Sequence, residues 1–353
     1  MRGLTPVRVS LLRPSLPTEV LAALLLAGGL AGAEPIQVDS KAILLHPGDP
    51  TQTTVGVLSY RGGLELSSTD DRFGGLSGVQ VDPTGRQLTA VTDQGHWITG
   101  RLLYDTRGFV SGFDRVELGP LRDLEGRPLE GKQDQDAESL AAVSGDSLLV
   151  GFERHHRLWL YPRDESGALG RPVSCRTPDD LLGAPANGGL EAVTALADGR
   201  VLILTEEFSE GELIRGWLGR NGEWSRLSYR ANDRPRPSDA ALLPSGDVLV
   251  LERDYLPVVG NLIRLRRIPR SIIEPGALLE GSLLAELRSP LNVDNLEGIA
   301  CRRGSAGETF IYLLSDDNFN PAQRTLLLLF ALEGEGRPVQ AGGAGSVAVP
   351  PGP

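Results

Sequence analysis

The sequence predicts an all-β protein, a β-propeller of four-stranded blades, and three observations carry that expectation. Apolar runs of four to eight residues alternate with Gly, Pro and Asp turns over most of the 353 residues. No window of a dozen residues holds a convincing 3.6-residue period, so amphipathic helices are not expected. A unit of two strands joined by a tight turn recurs five times, at a spacing suited to propeller blades.

The elements follow in chain order. Arg2, Arg8 and Arg13 precede an uncharged apolar run from Val20 to Leu30, and Ala31-Gly32-Ala33 offers a small-residue cleavage site before Glu34. Residues 1–33 therefore read as a signal peptide, with a periplasmic or secreted mature chain. An 11-residue run at 1.5 Å per residue is too short to cross ~30 Å of hydrocarbon, and no later segment approaches a membrane span. Strands near Ile36–Leu45 and Val55–Ser67 come next. The five hairpins then run from Gly75 to Asp93, Asp136 to Glu153, Gly189 to Glu206, Pro237 to Glu252 and Asn295 to Asp316. Their turns, Asp82-Pro83-Thr84-Gly85, Ser144-Gly145-Asp146, Ala197-Asp198-Gly199, Pro244-Ser245-Gly246 and Arg303-Gly304-Ser305, have hairpin chemistry.

The anchors Ser77, Glu138, Glu191, Asp239 and Glu297 lie 61, 53, 48 and 58 residues apart, enough for four strands and their loops. Third strands are expected at His96–Tyr104, Leu158–Pro162, Gly211–Leu218 and Leu262–Ile268. About 78 residues remain to close the ring, so six blades are favoured and five are possible. In either case the early strands complete the last blade, because closure hides the edges that would otherwise aggregate. A single propeller domain over 34–332 and a disordered Gly/Pro/Ala-rich tail over 333–353 complete the expected organisation.

Composition limits the functions open to such a ring. The chain carries 35 Lys+Arg against 46 Asp+Glu, a net charge of −11, and loss of the leader makes it more acidic still. That balance argues against nucleic acid as a partner and favours cations and small polar substrates. Aromatics are only 5%, so the core must be built from Leu, Val, Ile and Ala. Cys175 and Cys301 could pair in an oxidising compartment or stay as free thiols. No CxxC or HExxH is present, which leaves no dedicated zinc or iron–sulfur motif. A monomer is expected.

The repeat has a chemical consequence. Hairpin pairing brings each anchor near the terminal acid of its copy: Ser77 with Asp93, Glu138 with Glu153, Glu191 with Glu206, Asp239 with Glu252 and Glu297 with Asp316. If the first strand of each hairpin lines the channel, the nine carboxylates crowd one end and cannot all ionise without compensation. Asp93, Glu138, Glu153, Glu191, Glu206, Asp239, Glu252, Glu297 and Asp316 are therefore candidate ligands for a divalent cation. Ca²⁺ is favoured for its six to eight flexible oxygen contacts. Glu138, Glu191 and Glu297 are candidate catalytic carboxylates with the base unassigned. Arg154, Arg253 and His96 are candidate substrate contacts at the same rim, with His155, His156, Arg72, Arg234 and Arg236 nearby. On the structural alternative, these acids accept backbone N–H groups of adjacent blades or pair with Arg.

Five phrases, Phe73-Gly74-Gly75-Leu76-Ser77-Gly78, Asp136-Ala137-Glu138-Ser139, Phe152-Glu153, Asn187-Gly188-Gly189-Leu190-Glu191-Ala192 and Asp294-Asn295-Leu296-Glu297-Gly298, together resemble the bacterial phytase-like family. This group is also described as having the esterase-like activity of phytase. The resemblance spans about Val57 to Leu332 and implies an exported β-propeller that hydrolyses phosphate or other esters. The expected function is a metal-dependent hydrolase of a small-molecule ester or phosphoester. A calcium-dependent propeller lactonase and a non-catalytic binding module with a structural cation are the alternatives.

Overall fold

The computed structural model describes residues 32–333, apart from 144, 145, 232, 233 and 259. Most of the expected leader and of the expected disordered tail lies outside those residues, as does most of the Ser144-Gly145-Asp146 turn. The chain opens with β1 (Glu34–Ile36), β2 (Val38–Ile43), β3 (Thr54–Val55) and β4 (Leu58–Ser68). Blade 1 follows as β5 (Leu76–Val81), β6 (Gln87–Thr92), β7 (His96–Tyr104) and β8 (Val110–Pro120), with β1 added to its outer edge. Blade 2 is β9 (Ala137–Ala142), β10 (Ser147–Phe152), β11 (Arg157–Pro162) and β12 (Val173–Cys175). Blade 3 is β13 (Ala192–Ala195), β14 (Val201–Glu210), β15 (Leu213–Arg220) and β16 (Glu223–Arg230). Blade 4 is β17 (Arg236–Leu242), β18 (Val248–Leu256) and β19 (Gly260–Ile268). The short β20 (Leu278–Leu279) then crosses to the edge of blade 3 before β21 (Ser282–Arg288) completes blade 4. Blade 5 begins with β22 (Asn295–Arg303), β23 (Thr309–Asp316) and β24 (Thr325–Leu332).

Closure comes from the other end of the chain. β4 pairs antiparallel with β24, Leu58 opposite Leu332 and Leu66 opposite Thr325, and β2 pairs with β4. The ring therefore has five blades, the smaller of the two expected counts. The residues outside the five hairpins are used up in finishing blade 5 and in lengthening the edge of blade 1, so nothing is left for a sixth sheet.

Five buried clusters, one in each cleft between adjacent blades, hold the ring together. Between blades 5 and 1, Leu64, Leu66, Leu76, Val79, Tyr312 and Leu314 pack together. Ala241, Leu249, Ile299 and Ile311 join blades 4 and 5, while Ala192, Leu202, Ala240 and Val248 join blades 3 and 4. The remaining clefts hold Trp97 with Leu140 and Val150, and Leu149 with Val193 and Trp217. Each buried aliphatic side chain contributes about 1.5–3 kcal/mol. The cysteines form no disulfide with each other: Cys175 lies at the outer edge of blade 2 and Cys301 on the inner strand of blade 5.

Candidate functional site: the acidic mouth of the channel

The inner strands β5, β9, β13, β17 and β22 pack side by side around the axis. Four of them carry a register irregularity at one place. In β9 the pairing jumps from Ala137 opposite Phe152 to Ser139 opposite Gly151, which leaves Glu138 as the extra residue of a bulge. Ser77 occupies that place in β5, Ser238 in β17 and Glu297 in β22; Glu191 stands just before β13.

The residue after this position faces the next blade and is small or bonded to it. The Ser139 hydroxyl donates to Leu190 O at 3.0 Å. A side chain on Gly298 would meet Ser77 O at 2.5 Å, so the approach of blades 5 and 1 requires glycine there. In blade 4 this residue is Asp239. Its two carboxylate oxygens accept from Ala240 N and from Ile299 N of blade 5, both at 2.8 Å.

This register corrects the sequence alignment of blade 4 by one residue. Asp239 pairs with Leu251, as Ser139 pairs with Gly151 and Gly298 with Leu314. The counterpart of Glu138 is therefore Ser238, and the counterpart of Glu153 and Asp316 is Arg253, not Glu252. Glu252 points between blades 3 and 4, where it accepts from Tyr229 Oη at 2.6 Å and Arg266 Nε at 2.8 Å. Asp239 and Glu252 are both fully buried in structural hydrogen bonds away from the other acids. A one-residue slip in a strand sends a side chain to the opposite face, and the bulges hid that slip from hairpin arithmetic.

The other seven expected acids do gather, and Asp136 joins them. Oxygens of Asp136, Glu138 and Glu153 all lie within 4.8 Å of one another. Among the described residues, Lys132, Arg154 and Arg253 form ion pairs with these eight carboxyls, and the charge of Arg236 also acts on Glu206. Lys132 Nζ lies 2.7 Å from Asp93 Oδ2 and 2.5 Å from Asp136 Oδ1. Arg154 Nε lies 2.6 Å from Asp136 Oδ2. Arg253 Nη2 spans Glu297 Oε1 at 3.2 Å and Glu206 Oε1 at 3.4 Å. Asn295 Nδ2 also donates to Glu297 Oε1, at 2.8 Å.

Too few cations are present to balance the acids, and burial turns that deficit into proton affinity. Burial, followed by the charges of Glu297, Asp136 and Glu153, pushes Glu138 well above the usual carboxyl range. Burial and its neighbours Glu153, Glu206, Glu138 and Glu297 do the same to Glu191. Glu153 is pushed up to about 7 by burial, although Gly189 N–H donates to its carboxylate. Asp316 is pushed up to about 9 by burial and Glu297. Burial also raises Glu206 and Asp93, with Arg253 and Lys132 respectively pulling them back.

The backbone at this rim is held under strain. Asn318 and Phe319 both adopt φ of 49°, fixed by N–H bonds to Asp316 Oδ1 (2.6 Å) and Asp317 Oδ1 (3.1 Å). Gly75, at φ 59°, lies against the Phe319 ring and Asp93 Oδ1, where any side chain would collide.

Of the expected substrate contacts, Arg253 is central and Arg154 is engaged with Asp136. His96 stands apart on blade 1, in the fields of Asp70 and Arg72, with burial holding its pKa down. His155 bonds Asp134, while His156 bonds Pro185 O with its ring against Gly189, the residue whose N–H donates to Glu153. Arg72 pairs with Asp70 and Glu34, and Arg234 with Asp254. Sequence reasoning missed Asp136 and Lys132. Asp136 stands two residues before Glu138, a spacing that places both on one face of a strand. Lys132 is one of only two lysines in the chain, but nothing in its local pattern points to the site.

A family model described as "Phytase-like: Esterase-like activity of phytase" matches residues 71–319. No curated protein matches the chain. Solved propellers are similar at low identity. A structure described as a gluconolactonase is 11% identical with a TM-score of 0.42, covering 85% of this chain and 96% of its own. A catalytically inactive variant of virginiamycin B lyase from Staphylococcus aureus, solved with quinupristin, is 12% identical with a TM-score of 0.35 and covers 79% and 81%. The Cps50 (Swd1) propeller domain of Myceliophteria thermophila is 11% identical with a TM-score of 0.38 and covers 84% and 99%.

Proposed function

Because the chain belongs to the phytase-like family, and because its channel mouth concentrates eight carboxyls, we propose that it is an exported, divalent-cation-dependent hydrolase of phosphate or other esters. The observation that carries the reading is the triad Asp136, Glu138 and Glu153, whose oxygens lie within 4.8 Å of one another. Calcium–oxygen distances of ~2.3–2.6 Å put opposite ligands of one ion up to about 5 Å apart, so all three can reach a single Ca²⁺, whereas Mg²⁺ at ~2.1 Å demands a tighter set. Ser77 Oγ, buried beside the Glu138 carboxyl, adds a further oxygen to this set. The set is built from carboxylates, which favours this reading over a lactonase with a mixed Glu/Asn/Asp set.

A cation held by Asp136, Glu138 and Glu153 would supply Lewis-acid chemistry, polarising an ester oxygen and lowering the pKa of a water molecule. The rest of the work falls to the chain. Arg253 reaches from Glu206 and Glu297 into a side cavity of about 400 Å³ shared with Arg234, Arg236 and Tyr255, and is placed to hold the oxyanion of a substrate. Glu191, whose proton affinity is raised by burial and by its four acidic neighbours, is a candidate to hand a proton to a leaving group.

The test pairs calorimetric titration of CaCl₂ with hydrolysis of p-nitrophenyl phosphate and p-nitrophenyl acetate, for the native protein and for Glu138→Gln. Turnover of at least one ester that needs calcium, and loss of both turnover and calcium affinity in the variant, is the expected result. Calcium binding without turnover of any ester would leave a binding module; no calcium binding at all would overturn the site.

A further inference from the structure

We propose that the opposite mouth of the channel is a second ligand site, for a small molecule that carries an oxyanion on an apolar body. Val143, just past the end of β9 at this mouth, stands five positions along the chain from Glu138, roughly 16 Å at ~3.3 Å per residue, so the two ends are chemically independent. Here the inner strands and their turns surround a cavity of about 550 Å³, within the range that encloses small ligands. Its walls include Val81, Val143, Ala195 and Leu242, apolar side chains from four blades that remain partly open to water.

Three guanidiniums line the same cavity: Arg163, Arg302 and Arg303. None has a carboxylate partner among the described residues, in a chain whose acids outnumber its bases. Many other arginines are matched, as in Arg101–Asp114, Arg127–Asp123 and Arg267–Asp247. Arg302 is held in place without being neutralised. Its Nε donates to Tyr312 Oη at 2.8 Å, and its guanidinium lies 4.5 Å from the centre of the Phe310 ring. Tyr312 is fixed in turn by Tyr104, 2.9 Å between hydroxyls. Arg303 donates to Pro244 O at 3.2 Å, and the side chain of Arg163 has no bond among the described residues. Neither acid that lines the cavity pairs with them among the described residues. The Asp82 carboxylate is occupied by its own turn, accepting from Arg86 N and Gln87 N at 2.7 Å, and Asp146 is exposed on the rim.

A planar fork fixed by a tyrosine and an aromatic face, with two further guanidiniums beside it, matches a carboxylate or phosphate. The apolar wall matches what that anion is attached to. A second cavity of about 790 Å³ shares Arg302 and Arg303 and leaves room for a longer ligand.

The full chain is titrated by calorimetry with octyl phosphate, octanoate and neutral octanol at millimolar concentrations. At least one of the two anions is expected to bind more tightly than octanol, and comparison of the two tells a phosphate from a carboxylate preference. Arg163→Gln combined with Arg303→Gln, both removed from the tyrosine network, should weaken the anion at least about tenfold, the scale of one charge-assisted contact, with thermal unfolding unchanged. Glu138→Gln at the far mouth should leave it unaltered. Absence of anion binding, or binding that the double variant leaves intact, would overturn the proposal.

Discussion

Replacing Asp239 with Asn separates the structural acids from the channel acids more sharply than any other single change. The two oxygens of Asp239 each accept one backbone N–H at 2.8 Å, from its own blade and from Ile299 of the next, and the residue is fully buried. Asn keeps one acceptor and turns a donor toward the other N–H. A buried donor left unsatisfied costs about 1–3 kcal/mol, a large share of the ~5–15 kcal/mol that holds a typical protein folded. At an m-value near 3 kcal/mol/M the urea midpoint should fall by roughly 0.3–1 M. Calcium affinity, measured by calorimetry on the same preparation, should not change, because the carboxyl faces blade 5 and not the channel. A tenfold loss of calcium affinity, or an unchanged urea midpoint, would refute the one-residue register that assigns this acid a structural role.

Other outcomes follow from the same geometry. In EDTA, stability should fall as pH rises from about 4.5 to about 7: burial raises Glu153 from 4.5 to about 7, so the unfolded chain releases that proton first, and the loss amounts to about 3 kcal/mol. Millimolar calcium should flatten that slope and, at a hundredfold excess over Kd, add about 2.7 kcal/mol; a urea midpoint that ignores both pH and calcium would remove the basis for the cation. Gly298→Ala puts a methyl group 2.5 Å from Ser77 O and should cost about 1–3 kcal/mol in urea unfolding without altering the calcium affinity of the folded protein. If residues 1–33 act as the expected leader, the mature chain begins at Glu34; N-terminal sequencing of native protein that returned Met1 would count against export.

The sequence alone determined the all-β class, the hairpin unit and its fivefold recurrence, because alternation of apolar runs with turn residues is a local property. It also determined that the N-terminal strands had to close the ring, since an open edge is a liability anywhere in the chain. Most of the acidic mouth was legible for the same reason: Glu138, Glu191 and Glu297, with Asp93, Glu153, Glu206 and Asp316, stand at matching distances from their turns. What the sequence could not carry was register across a bulge. Ser238-Asp239 and Glu252-Arg253 each offer two candidates for one place, and only pairing with Leu251 and contact with Ile299 decide which side chain enters the channel. The choice gives the ring an arginine where a fifth terminal acid was expected, and so sets the charge of the site. Lys132 and the unpaired guanidiniums of the far mouth were hidden too, because they come from loops and strand ends whose neighbours lie in other blades. Periodicity along a chain shows which way a side chain points within its own strand; what it meets there is decided by packing between strands distant in sequence.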